Sequence, residues 1–111
     1  MKARLEKIAE ILDAFRQRTE MYIDPVSPEE AEKFLYGFDV GCFACGVQFR
    51  WQDIAEQRGW ILGTTSPIVA EMRAKGLSDD RIINELISIR EEAAKRCPIY
   101  LEVHLPAQVP A

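Results

Sequence analysis

The residues best placed to do chemistry lie in the stretch Gly-Cys42-Phe-Ala-Cys45-Gly. Two cysteines at i and i+3 can chelate a soft metal or cycle between dithiol and disulfide. With Cys97 and His104, the third cysteine and the single histidine of the chain, they make up a Cys3His inventory. The spacing opposes that reading. Structural zinc sites present two short-spaced pairs, whereas Cys97 and His104 stand seven residues apart across a predicted helix-to-strand junction. A thioredoxin-like pair needs a strand just before it and the cysteines at a helix start, yet this pair sits inside an apolar helical run. Buried thiols in a packed core are therefore the expected outcome, because free cysteine is among the most buried residue types. No metal and no cofactor are expected, and a thiol redox or metal-binding protein is kept as an alternative.

Asp39 is the second candidate. It is the only charged residue between Phe34 and Phe49, one turn from Tyr36 and Cys42. Such a carboxylate, if buried, has a raised pKa or a paired cation. A structural pairing with an arginine from elsewhere, or exposure at a gap in coverage, is the expected reading, since structural ion pairs perturb carboxylates too. Asp39, Cys42, Cys45 and Tyr36 form the candidate site, with no residue expected to be catalytic. One histidine without a partner leaves hydrolase triads little to build on. Gly37, Gly41 and Gly46 miss the spacings of phosphate-binding loops.

A third pattern, Glu71-Met-Arg-Ala-Lys-Gly76-Leu77-Ser78-Asp-Asp-Arg-Ile82-Ile, resembles the helix-turn-helix of bacterial regulators and implies DNA binding. Its would-be recognition helix opens with Asp79 and Asp80, which phosphate repels. A helical hairpin with a glycine turn explains the same residues.

These residues have to be positioned by helices. From Leu5 to Tyr22, apolar residues at three- and four-residue steps predict an amphipathic helix ending near Asp24-Pro25. Ser27-Pro28-Glu29-Glu30 is a strong start signal for the next. The run from Phe34 to Phe49 is apolar on all sides and, at 16 residues, short of the ~20 a bilayer span needs. It is expected to be the central core helix or an oligomer interface, with Gly37, Gly41 and Cys45 forming a ridge for close packing of another helix. Residues 50 to 58 continue that helix or follow a kink. Ser66-Pro67 starts another helix, closed by Gly76, and Ser78 caps the last, whose apolar stripe runs from Ile82 to Ala94. After Cys97-Pro98 the pattern alternates from Ile99 to Leu105, as in a half-buried strand. This segment pairs with the Trp60 connector, pairs with the same strand in another subunit, or is not a strand. The expected fold is mainly α, four to five helices around a central apolar helix with a short C-terminal strand, and a helix-dominated α+β domain is the variant. Residues 1–105 form one domain and 106–111 a tail.

Composition sets the outer limits. At 111 residues the chain suits one domain burying roughly two thirds of its unfolded surface. A net charge of −4, with 48% hydrophobic and 29% charged residues, describes an ordinary globular protein and weakens proposals of nucleic acid or membrane as partner. The start of the chain lacks the features of a signal peptide, and three cysteines are an odd number, so the protein is expected to be cytoplasmic with reduced thiols.

Arg18-Thr-Glu-Met-Tyr22, then Ser27 and Phe34-Leu-Tyr-Gly-Phe, then Trp51 and Gly59-Trp60, resembles the layout of small uncharacterised bacterial helical proteins of the toxin-immunity or mobile gene-cassette type. The resemblance spans residues 18 to 96 and brings no catalytic residues. It implies a non-enzymatic interaction protein, and the uncovered core helix and unpaired strand point to a homodimer. A helix-turn-helix regulator is the second alternative.

Overall fold

The computed structural model describes residues 2–61, 67–96 and 98–100. Among these residues the chain is built from five helices and one two-stranded ribbon: α1 (Lys2–Gln17), α2 (Pro28–Ala44), β1 (Val47–Phe49), α3 (Trp51–Gln57), α4 (Ile68–Ala74), α5 (Asp79–Arg96) and β2 (Pro98–Tyr100). The mainly helical class read from periodicity holds. Cys97, His104, Ser66, most of the Trp60 connector and the tail lie outside the described residues.

The start and stop signals operate as their chemistry requires. Ser27 Oγ accepts from the Glu30 N–H at 3.2 Å, and Ser78 Oγ accepts from the Arg81 N–H at 3.4 Å. Gly59 and Gly76 follow α3 and α4 with φ of +92° and +88°, the left-handed conformation that closes a helix. The first helix is shorter than its periodicity predicts: α1 stops at Gln17, and a single 3-10 turn over Thr19–Met21 completes the stretch. Thr19 contributes to the break, since its hydroxyl donates back to the Phe15 carbonyl at 2.9 Å.

The run from Phe34 to Phe49 is not one helix. Helix α2 ends at Ala44, and Gly46 takes φ = +89° to turn the chain into β1. A side chain there would be strained, so this glycine decides where the helix stops. Strand β1 then pairs antiparallel with β2, Val47 opposite Tyr100 and Phe49 opposite Pro98. The described part of the C-terminal strand, Pro98–Tyr100, therefore pairs inside the chain, with Val47–Phe49. Periodicity missed β1 because a three-residue strand inside an apolar run carries no alternation signal of its own.

The centre of packing also differs from expectation. Helix α5, not α2, is the element around which the others are arranged. Its buried residues are Ile82, Ile83, Leu86, Ile87, Ile89, Arg90, Ala93 and Ala94. At 100° per residue they cover an arc of roughly 160°. Leu12 and Phe15 of α1, Leu35 of α2, Ile54 of α3 and Met72 of α4 complete the same core, all fully buried. In α2 only Pro28, Ala31 and Leu35 are buried, so its apolar second half lies largely at the surface.

Polar contacts fix the neighbours of α5 in register. Arg16 of α1 forms a bidentate pair with Glu91 and donates to Asn84 at 3.0 Å. Arg58, just after α3, bridges Glu85 at 3.0 Å and Glu92 at 2.6 Å, while Trp60 Nε1 donates to Glu85 at 3.0 Å. The third pair, to α2, belongs to the candidate site.

Candidate functional site

Asp39 is held by a residue that sequence reasoning passed over. Arg90 is 2% exposed, the one charged residue in the core among the described residues. Its Nε donates to both Asp39 oxygens at 3.1 and 3.2 Å, and its Nη2 donates to Oδ2 at 3.0 Å. The Leu86 carbonyl accepts from Nη1 at 3.4 Å, and the guanidinium stacks on Trp51 at 4.6 Å from the ring centroid. The signal was available: in the stripe Ile82–Ala94, position 90 falls on the apolar face, where a lone arginine needs a buried acid. Asp39, alone in an apolar run, is its counterpart.

The carboxylates near Arg90 are perturbed. Burial lifts Asp39 above the ordinary carboxylate range, and Arg90, through its charge and hydrogen bonds, offsets part of the rise. Glu32, two turns earlier on α2, is also raised by burial and also feels Arg90's charge. Among the described residues Glu32 has no hydrogen-bond or ion-pair partner of its own.

Around Asp39 the surface is concave. A hollow of about 290 Å³ between α2, β1 and α3 is bordered by Tyr36, Asp39, Val40, Phe43, Phe49 and Trp51 and by two glutamines. Tyr36 also borders a second hollow of about 500 Å³ that holds Glu32 and the Glu29–Arg73 pair. Hydrogen bonding from Arg73 holds Glu29 below its usual range. The structure thus brings Tyr36 and Asp39 to one hollow.

Cys42 and Cys45 border a different one, an apolar groove of about 420 Å³ between α1 and α2 whose walls include Ile8, Ile11, Phe38 and Val47. Both are thiols; Cys42 is half-buried and Cys45 is exposed. Core packing, the expectation for the pair, describes Cys42 in part and Cys45 not at all, because α2 turns its last residues outward. Burial, followed by the nearby Asp39 and Cys45, pushes the Cys42 thiol up to about 11, the reverse of what activates a cysteine. Among the described residues no three histidine, cysteine or acidic side chains converge as metal ligands.

Among the described residues no helix packs on the ridge of Gly37 and Gly41. A β-carbon built on either would meet nothing within 4 Å. Around it Tyr36, Val40 and Phe43 are 69%, 51% and 56% exposed. In the helix-turn-helix pattern the second helix, α5, buries one face against α1, α2, α3 and α4 and leaves Asp79, Asp80 and Arg81 exposed, and Arg73 ahead of it is tied to Glu29 and Asp79. No helix among the described residues is long and apolar enough to cross a membrane.

Comparison of the chain with family models, with curated proteins and with solved structures finds no match.

Proposed function

We propose that this chain is a non-enzymatic interaction protein that pairs with a second copy of itself through the outward face of α2. One observation carries the reading: Tyr36, Val40 and Phe43 stand largely in solvent beside two open glycines, on a helix face that the described residues leave uncovered. Apolar surface concentrated on one face marks an interaction site more often than scattered exposed residues do.

Charge favours a second copy. Two molecules of net charge −4 approach best over a neutral surface. From Phe34 to Ala44 the sole charge is Asp39, which faces inward to Arg90. At 100° per residue, Gly37, Val40, Gly41 and Ala44 share one face. An antiparallel two-fold pair centred between Val40 and Gly41 sets Gly41 opposite Val40 and Gly37 opposite Ala44 on the other helix. Each glycine then receives a side chain, which is the close packing that offsets its helix cost of about 1 kcal/mol. Such a face falls short of the 20–30 residues per side of a standard interface, so a dimer in the micromolar range is expected.

Sedimentation velocity over a concentration series tests this. The expected result is a reversible shift from the 12.7 kDa monomer towards twice that mass. A single monomeric species up to millimolar concentration rejects the reading.

A further inference from the structure

The hollow beside Asp39 has a chemistry that the dimer reading does not use. Of its eight bordering residues four are aromatic, Tyr36, Phe43, Phe49 and Trp51; the Asp39 carboxylate is the one charged group, and Val40, Gln48 and Gln52 complete the lining. Aromatic faces carry negative potential and attract cations that shed water easily. The charge around the hollow has the matching sign. Asp39 is the one charged side chain that borders it, and Arg90's single positive charge is set against two carboxylates, Asp39 and Glu32, the second of which borders the neighbouring hollow.

We propose that this hollow binds a small organic cation of the quaternary ammonium class. Each alternative loses on a specific count. A primary ammonium ion is strongly hydrated and needs several acceptors, but Asp39 already accepts three bonds from Arg90, which leaves mainly the amides of Gln48 and Gln52. A neutral ligand gains nothing from the excess charge. A cofactor-sized ligand is too large, since about 290 Å³ lies just under the range of drug-sized pockets. A trimethylammonium head has no N–H to satisfy, presents methyl groups to the rings and spreads its charge over them. Arg90 does not repel it strongly, because its charge is matched by Asp39 and its guanidinium is stacked on Trp51, a ring that also borders the hollow.

The proposal shares Tyr36, Val40 and Phe43 with the dimer reading, and the experiment keeps the two separate. Tetramethylammonium, choline and the neutral carbon analogue 3,3-dimethyl-1-butanol are titrated against the full chain. The Trp51 indole N–H resonance and calorimetry provide the two readouts. The same titration on Gly41→Gln, a position that does not border this hollow, serves as the form with the α2 pairing face blocked. Saturable binding of both cations is expected in each protein, with choline about tenfold tighter than its neutral analogue. Tyr36→Ala removes an exposed ring and Glu32→Gln removes the excess charge. Each should weaken choline several-fold while circular dichroism shows an unchanged fold. A peptide bearing trimethyl-lysine, run in parallel, tells whether the head is taken as a free molecule or on a protein. Absence of saturable binding at tens of millimolar in Gly41→Gln overturns the proposal, and so does equal affinity for choline and its neutral analogue.

Discussion

Arg90 and Asp39 join α5 to α2 through a bidentate pair in which the guanidinium is buried and the carboxylate is 20% exposed. Removing one member of a buried pair leaves the other as an uncompensated charge, whereas removing both need not cost stability. Asp39→Ala is therefore expected to destabilise the fold by about 3 kcal/mol. The double variant Asp39→Leu/Arg90→Met should return to within about 1 kcal/mol of the parent, the methionine keeping contact with Trp51. Urea unfolding of the single and double variants measures the coupling, and strictly additive losses would contradict it.

The glycines of α2 separate stability from association. Neither Gly37 nor Gly41 has a positive φ, and a β-carbon at each enters open space. Alanine at either position should raise the thermal stability of the monomer by about 0.5–1 kcal/mol through helix propensity. If α2 packs on itself, the same change spoils the close approach and weakens the dimer, so melting and sedimentation should move in opposite senses. Stabilisation with unchanged association would remove the ridge from the interface.

Glu32 makes stability depend on pH in an unusual direction. Its carboxyl is raised in the folded state, chiefly by burial, so the fold binds more protons than the unfolded chain between the two pKa values. Stability contributed by this group is then full below the ordinary value of 4.5 and declines as pH rises through the folded value. Glu29 and Glu92, which arginines hold low, act oppositely: their contribution is present above 4.5 and lost as pH falls further. Glu32→Gln should flatten the decline above 4.5 and leave the acid limb in place. A parent-minus-variant melting difference that is constant across this range would refute the assignment.

The two thiols of α2 should react unequally. A thiol pushed up to about 11 from 9.0 carries on the order of a hundredfold less thiolate at neutral pH than an ordinary one. Iodoacetamide at pH 7.5, followed by peptide mass mapping, should therefore label exposed Cys45 well before half-buried Cys42. Equal rates would mean that α2 frays beyond Phe38 in solution.

Local signals determined much of this protein. The helical content, the caps at Ser27 and Ser78 and the stops at Gly59 and Gly76 follow from backbone conformation and hydrogen bonding within a few residues, which sequence spacing records directly. Asp39 was recognisable as a lone acid in apolar surroundings, and an arginine partner was foreseeable as a type. Tertiary structure decided what no local pattern contains: that the partner is Arg90, 51 positions away, and that Val47–Phe49 leaves the helical run to pair with Pro98–Tyr100. It also decided which of two apolar helices is enclosed. An apolar stretch specifies that contact with something is favourable, but not with what. In this chain α1, α2, α3 and α4 close around α5, and the second half of α2 keeps its apolar face outward because the helices that could have covered it are already packed elsewhere.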